Sequence, residues 1–223
     1  MKKATTLLLV TAISLLSFQT YAQTFGIKGG LNLSNVLAKD DDDTYSDDFK
    51  MNPGFHIGPT VEFPLNEMVS FESGLLLSTK GFKSSEKETD MGDTWEYEVK
   101  LNAVYIDIPL TAKTTFDVGG AKIYGIFGPY VGIGLSGKEK EEYTQDGETE
   151  TYEADIEWGN DEDEDHLKRL DYGLTAGAGI IVNNIQLGLS YDLGLANISA
   201  YTGDGTKIKN KVLRFSVGYM FGE

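Results

Sequence analysis

Apolar and polar residues alternate with a period of two in the last part of the chain. In 185–195 every odd position is apolar, and the even positions carry Gln, Gly, Ser or Asp. In 212–221 the odd positions are again apolar, and the even positions include Arg214, Ser216 and Gly218. Successive side chains of a strand point to opposite faces, so both segments are predicted strands with one apolar face. Small residues with sparse charges on the other face suit the crowded inside of a narrow barrel whose outside contacts lipid.

The same alternation predicts eight strands along the chain, at 24–34, 54–63, 69–82, 94–113, 123–136, 170–182, 185–195 and 212–221. In the fourth strand the apolar period changes from odd to even numbers, and we expect a β-bulge near Ala103 to cause this change.

The predicted connections alternate between long polar loops and short turns. The long loops lie near 35–53, 83–94, 138–168 and 196–210, and the turns lie at 64–67, 115–121 and 183–184. Alternate connections share one end of an up-and-down barrel. The pattern therefore predicts an all-β fold: an eight-stranded antiparallel up-and-down transmembrane β-barrel with long extracellular loops and short periplasmic turns.

The N-terminal segment has the anatomy of a secretory signal peptide. Lys2 and Lys3 precede an apolar run at 5–16, which is too short to span a bilayer, and the segment 20–22 then supplies small residues, Thr20 and Ala22, at the usual cleavage positions. We therefore expect residues 1–22 to be a cleaved signal peptide and residues 23–223 to be one barrel domain. The chain has no Cys, which excludes a lipoprotein anchor, disulfides and thiolate metal sites.

These features predict a location in the outer membrane of a Gram-negative-type bacterium. A soluble, lipocalin-like carrier remains the alternative, with the apolar faces turned inward around a ligand. The many Gly residues on the opposite faces disfavour it, because exposed strand faces seldom carry so many.

The composition is strongly acidic. The formal net charge is −16, and loss of Lys2 and Lys3 would leave 17 basic against 35 acidic residues, or −18. Nucleic acid is therefore not an expected partner, since its phosphates need a basic surface. The 12 Tyr and 11 Phe fit the aromatic girdles of a membrane barrel.

Three short segments resemble the PorT-like outer-membrane β-barrel family. They are FGIKGGLNLS at 25–34, STKG at 78–81 and YIDIPL at 105–110. The resemblance implies the same fold and membrane. One member of that family is linked to a type IX secretion system, but a shared barrel does not transfer that role. The aromatic residues close to the end of the last strand also resemble the recognition signal of the outer-membrane assembly machinery, which is therefore an expected partner.

The alternation predicts an inward-facing set of charged residues and one histidine: Lys28, His56, Glu62, Glu72, Lys80, Asp107, Asp171, Asp192 and Arg214. Both signs of charge are present, so we expect a network of ion pairs that fills the interior. The alternative is a gated ion path. Structural filling is favoured because eight strands leave no open channel.

The acidic loops raise the question of metal binding. Asp161, Asp163 and Asp165 are weak candidate ligands for Ca²⁺ or Mg²⁺, but the segment lacks an EF-hand pattern because His166 stands where that loop needs Gly. Solvated loops are the favoured interpretation. A divalent-dependent contact with anionic lipopolysaccharide is an intermediate possibility.

Catalysis has little support in the sequence. Only two His are present, and neither a Gly-x-Ser-x-Gly nor a His-Glu-x-x-His motif occurs. We expect no enzyme and no cofactor, with His56 as a hydrogen-bonded interior residue.

The predicted role is structural or surface-interacting: a filled, non-conducting barrel that presents long acidic loops. The alternative is a component or accessory of a secretion or envelope-biogenesis machine, followed by a barrel enzyme and then a porin. Expected partners are outer-membrane lipid and lipopolysaccharide, the assembly machinery, and a protein still to be identified.

Overall fold

The computed structural model describes residues 23–46, 49–90, 93–145 and 148–221, so the predicted signal peptide lies outside the described residues. Within these ranges, no helix has the length and apolar composition needed to cross a bilayer. The strands are β1 (Thr24–Lys39), β2 (Phe49–Lys50), β3 (Asn52–Pro64), β4 (Val69–Gly74), β5 (Leu76–Asp90), β6 (Asp93–Asp117), β7 (Lys122–Gln145), β8 (Glu148–Asp155), β9 (Leu170–Val182), β10 (Ile185–Gly194) and β11 (Lys207–Phe221).

These strands form one antiparallel sheet that closes on itself. β1 pairs with β3 on one side and with β11 on the other. From β3 the pairing passes to β4 and β5, then to β6, β7, β9, β10 and back to β11. In the described part of the chain, β2 pairs only with β5 and β8 only with β7, so both lie outside the closed ring.

The antiparallel all-β prediction is confirmed, but the described residues contain eleven strands rather than eight. The third predicted strand is divided into β4 and β5 at Leu75, whose N–H donates to the Pro59 carbonyl at 3.0 Å. The other two additional strands, β2 and β8, form in segments predicted to be loops.

Two of the predicted long loops are wrong over much of their length. Residues 83–90 continue β5, residues 138–145 continue β7, and residues 148–155 form β8. These segments carry charges on both faces, which hides the two-residue period of hydrophobicity. Cross-strand ion pairs, such as Lys83 with Glu98 at 2.5 Å, help to hold the ladders together instead.

The apolar faces of the strands point outward. Along β10, Leu187 and Leu189 are 48% and 47% exposed, whereas Asp192 is 2% exposed. Exposed apolar residues and buried polar residues alternate in the same way around the ring. The exposed ones form an apolar band far larger than the patches that soluble monomers expose. This orientation is the opposite of the one required by the inward-apolar carrier.

The change of apolar phase in β6 has a different cause from the predicted bulge. A register shift does lie between Val104 and Tyr105, close to the predicted site, but the extra residue is Leu135 on β7. In β6 itself the odd positions point inward without interruption from Leu101 to Lys113. The apolar residues of β6 change from odd to even positions because the interior itself changes. Towards the short turns the interior is polar, and at the long-loop end it is apolar.

That apolar end is filled by chain segments that follow β8 and β10. Ile156, Leu167 and Ile198 pack against Leu101 and Tyr105 of β6 in a buried cluster. The Trp158 ring stacks edge-on against Tyr105, with 5.6 Å between ring centroids. The segments 156–167 and 196–200 therefore close this end of the ring, and we call them the plug.

Candidate functional site: the charged interior

The nine predicted interior residues all lie inside the ring. Seven of them have residue exposures of 6% or less. Lys28 and Glu62 are slightly more accessible, with side-chain exposures of 13% and 17%. The eight charged members separate into two clusters, and His56 lies apart from both sets of ion pairs.

The central cluster comprises Lys80, Asp107, Asp171, Asp192 and Arg214. Lys80 Nζ lies 2.8 Å from Asp107 Oδ1 and 2.9 Å from Asp171 Oδ2. Arg214 forms ion pairs with Asp107 and, at 2.7 Å, with Asp192. These contacts cross the interior and connect β5, β6, β9, β10 and β11. Two cations face three carboxylates, so the cluster carries a formal excess of one negative charge.

Neutral side chains complete the central cluster. Asn210 Nδ2 donates to Asp171 at 2.9 Å, and Thr175 Oγ1 donates to Asp192 at 2.8 Å. The Lys80 ammonium also lies over the rings of Tyr105 and Tyr130, at 4.8 and 4.6 Å from their centroids. Such partners offset the large cost of removing charges from water.

The turn-end cluster comprises Lys28, Glu62, Glu72 and Lys113, near the short turns. Lys28 is ion-paired with Glu72, and Lys113 Nζ lies 2.7 Å from Glu62 and 3.5 Å from Glu72. The cluster is formally neutral. Lys113 is fully buried and is not among the predicted residues, although it lies at the same odd parity of β6 as Asp107.

His56 is held by neighbours on both sides of its ring. Its Nδ1 lies 2.7 Å from Asn32 Oδ1, and its Nε2 lies 2.9 Å from Ser216 Oγ. Asn32 in turn donates to Ser78 Oγ at 3.1 Å. His56 therefore belongs to a buried hydrogen-bond chain that links β1, β3, β5 and β11.

Little open space separates the two charged clusters. A cavity of about 40 Å³ lies between them, lined in part by Lys28, Asp107, Asp192 and Arg214. Its size suits one or two water molecules. A Cβ at Gly132 would lie 2.6 Å from Asp107 Oδ1, so glycine at this position leaves the room that the cluster occupies.

The candidate metal ligands Asp161, Asp163 and Asp165 form hydrogen bonds within their own turn. The Asp161 N–H donates to Asp165 Oδ2 at 2.8 Å, and the Asp163 N–H donates to Asp161 Oδ1 at 3.1 Å. Across the described ranges, no group of three or more His, Cys, Asp or Glu residues is arranged to hold a metal ion. His166 Nδ1 accepts a hydrogen bond from the Glu157 N–H at 2.9 Å.

The closed sheet, its outward apolar band and its charged interior agree with a comparison to protein families. The family described as "outer membrane protein beta-barrel domain" matches residues 21–200. The chain belongs to this family. This outer-membrane β-barrel protein is therefore located in the outer membrane of a Gram-negative bacterium, as the sequence predicted.

Solved structures of three bacterial proteins are similar to the barrel protein over most of its length. Ail of Yersinia pestis is 18% identical, with 89% of this chain and 98% of that chain covered and a TM-score of 0.32. Neisserial surface protein A is 11% identical, with 90% and 99% covered and a TM-score of 0.41. OprG of Pseudomonas aeruginosa is 14% identical, with 91% and 97% covered and a TM-score of 0.38. A comparison with curated proteins finds no match.

Sequence reasoning missed the closure of the barrel at its long-loop end. The plug residues Ile156, Trp158 and Leu167 stand in a segment dominated by acidic residues, where three scattered apolar positions form no period. The plug could have been predicted from β6 instead. Leu101, Ala103 and Tyr105 are apolar at inward-facing positions of this strand, so other apolar residues must pack against them inside the ring.

Proposed function

We propose that this protein is an eight-position outer-membrane barrel with a structural or surface-interaction role and a filled, non-conducting interior. β4 and β5 follow one another between the same neighbours, β3 and β6, and count as one position in the ring. β2 and β8 lie outside it. Eight positions give an interior that side chains can fill.

The filled interior is the observation that carries the proposal. Two buried ion-pair clusters occupy its membrane-embedded part, and the plug around Trp158 covers its long-loop end. An ion would have to separate desolvated charge pairs to pass, at a cost of several kcal/mol. This supports structural filling over a gated path or a porin.

The role outside the cell rests on the asymmetry of the two ends. We place the long-loop end outside, where β5 to β8 extend as an acidic sheet, and the short turns in the periplasm. The apolar band contacts outer-membrane lipid, and the acidic extension formed by β5 to β8 contacts a protein partner or, bridged by divalent cations, lipopolysaccharide. The assembly machinery is the proposed partner during biogenesis, when β11 pairs with β1 to close the ring.

The second candidate function is an accessory of a secretion or envelope-biogenesis machine, as in the PorT-like family. Its support is the resemblance of 25–34, 78–81 and 105–110 to that family. A periplasmic contact would use the short turns, which offer much less area than the extension. An enzymatic role has less support, because both ring nitrogens of the buried His56 are already engaged.

The orientation can be tested with single cysteines, since the natural chain contains none. Thr151→Cys lies on β8, and Val118→Cys lies in a short turn and is 54% exposed as Val. A membrane-impermeant maleimide should label Thr151→Cys on intact cells and Val118→Cys only after permeabilisation. The reverse result would refute the proposed presentation.

The filled interior predicts the absence of conductance. Purified protein that shifts its mobility on heating in a denaturing gel is folded and suitable for a planar-bilayer measurement. We expect such protein to give no stable conductance steps. Reproducible steps that disappear after heat unfolding would refute the non-conducting barrel.

A further inference from the structure

Three strands of the ring, β5, β6 and β7, continue beyond its long-loop end, and β8 pairs with β7 to complete a solvent-exposed sheet. We call it the outer sheet: residues 83–90, 93–100, 138–145 and 148–155, which belong to β5, β6, β7 and β8. The register is continuous across these strands, with Glu86 opposite Tyr97, Tyr97 opposite Tyr143, and Tyr143 opposite Glu150. Directly paired residues share a face, so the register assigns each side chain to one of two faces.

One face of the outer sheet is electrostatically balanced. Its basic residues are Lys83, Lys87, Lys100, Lys138 and Lys140, and the same face carries an equal number of acidic side chains. Lys83 pairs with Glu98 at 2.5 Å, Lys140 with Glu142 at 2.8 Å, and Lys138 with Glu153 at 3.5 Å. We call this the paired face, because its charges are neutralised within the sheet.

The opposite face is unbalanced. It carries the aromatic residues Trp95, Tyr97, Tyr143 and Tyr152, and the acidic residues Glu86, Glu88, Glu139, Glu141, Glu148 and Glu150. Among the described residues of these four strands, this aromatic–acidic face has no Lys or Arg. The segregation of charge between the two faces is the observation that requires an explanation.

The aromatic rings of this face are accessible and lie beside carboxylates. Tyr97 and Tyr143 are each 39% exposed, and Tyr152 is 64% exposed. Trp95 Nε1 donates to Glu88 at 3.2 Å, and the Tyr152 hydroxyl donates to Glu150 at 3.2 Å. A cation placed here can therefore lie over a ring and contact a carboxylate at the same time. A planar guanidinium fits this combination best, because it stacks on aromatic faces and bonds carboxylates through two parallel N–H groups.

We propose that the aromatic–acidic face binds an arginine-containing segment of a polypeptide outside the cell. The inference rests on the proposed function, because it requires the outer sheet to be extracellular. A second copy of this chain is disfavoured by the formal net charge of −16, and sulfated or phosphorylated glycans are repelled for the same reason. A cationic polypeptide is the occupant whose charge complements the surface.

The test compares two variants that remove the same charge from opposite faces of one sheet. The face variant is Glu86→Gln with Glu141→Gln and Glu150→Gln. The matched control is Glu98→Gln with Glu142→Gln and Glu153→Gln on the paired face. Binding of a fluorescent peptide of alternating Arg and Ser is measured by anisotropy, with each protein folded in detergent and checked by its heat shift.

We expect the face variant to weaken peptide binding by about tenfold or more, because each of its three lost exposed ion pairs makes a modest contribution to affinity. The control should weaken peptide binding by less than about twofold. Tyr143→Ser with Tyr152→Ser should also weaken binding while leaving the charge unchanged. A peptide with Lys in place of Arg should bind less tightly.

Three outcomes would overturn the inference: no binding by the natural sequence, equal loss in both charge variants, or no effect of the tyrosine substitutions. Equal loss would mean that only the general negative field attracts the peptide. The maleimide labelling of Thr151→Cys reports separately on presentation. Failed peptide binding with successful labelling would therefore reject this inference and leave the proposed function standing.

Discussion

Lys80 is the position at which a single substitution should destabilise the barrel most clearly. Its side chain is fully buried, and its ammonium contacts Asp107 and Asp171 at 2.8 and 2.9 Å. Lys80→Met keeps the length and much of the volume of the side chain but removes the charge. The central cluster then holds one cation against three carboxylates, so its formal charge changes from −1 to −2.

The expected cost follows from leaving two buried carboxylates short of a partner. Removal of one member of a buried ion pair costs about 3–5 kcal/mol. The lost contacts with the rings of Tyr105 and Tyr130 add to this cost. Lys138→Met is the matched control, because that side chain is 64% exposed and its ion partner Glu153 lies 3.5 Å away. An exposed pair of this kind contributes about 0–1 kcal/mol.

The assay is reversible urea unfolding of the protein in detergent or lipid vesicles, followed by tryptophan fluorescence. Trp158 packs against Tyr105, close to Lys80, and reports on this part of the barrel. The free energy of unfolding should fall by at least about 3 kcal/mol in Lys80→Met. A loss no larger than that of Lys138→Met would refute the argument that the central cluster holds the barrel closed.

A second substitution separates charge from packing. Lys80→Met with Asp171→Asn restores the formal cluster charge of −1, since one cation then faces two carboxylates. The amide oxygen introduced by Asp171→Asn could still accept the hydrogen bond that Asn210 donates to Asp171 at 2.9 Å. We expect a favourable coupling of about 1–3 kcal/mol between the two substitutions. Strict additivity would attribute the loss to packing alone.

Two further predictions concern the plug and an exposed loop. A Cβ at Gly134 would lie 2.2 Å from Trp158 Cζ3, so Gly134→Ala should displace the indole ring. In a Trp95→Phe background, the fluorescence of Trp158 should then shift to longer wavelength. An unchanged emission spectrum would contradict the packing of Trp158 in the plug. The Tyr45 hydroxyl donates to Asp40 at 2.6 Å and, with the backbone N–H groups of Asp43 and Asp42, lowers the pKa of Asp40 below its usual value. Tyr45→Phe should therefore raise that pKa in an NMR titration. Because the folded pKa is lowered, this contribution to stability is present above the unfolded pKa and is lost as pH falls through the folded value; a pKa unaltered by Tyr45→Phe would count against this assignment.

The strand alternation was sufficient to predict much of the membrane-embedded part. β9 occurs at the predicted residues 170–182, and β10 ends within one residue of its predicted end. In these strands a two-residue period separates lipid-facing Leu, Ile and Tyr from inward Gly, Ser and Asp. The two environments differ greatly in polarity, so the side that each residue faces could be predicted locally.

Outside the membrane, the alternation of apolar and polar residues did not predict the strands. Both faces of a strand can contact water there, so neither face has to be apolar. Residues 138–145 and 148–155 carry charges in succession, and their strand structure depends on pairing with neighbouring strands rather than on an apolar period. The plug was missed for the same reason. Trp158 is partly buried only because Tyr105 and Gly134, distant in sequence, form the surface against which its ring packs.

The sequence by itself determined that the chain forms alternating strands, that its apolar faces point to lipid, and that Lys80, Asp107, Asp171 and Arg214 point inward. Only the tertiary structure decided which of these charges meet. Lys80 and Asp171 are separated by 91 residues, and Asp107 and Arg214 by 107. Alternation sets the side on which a residue lies, whereas closure of the ring sets its height and its neighbours. Ion pairing depends on these distances, which no local pattern contains.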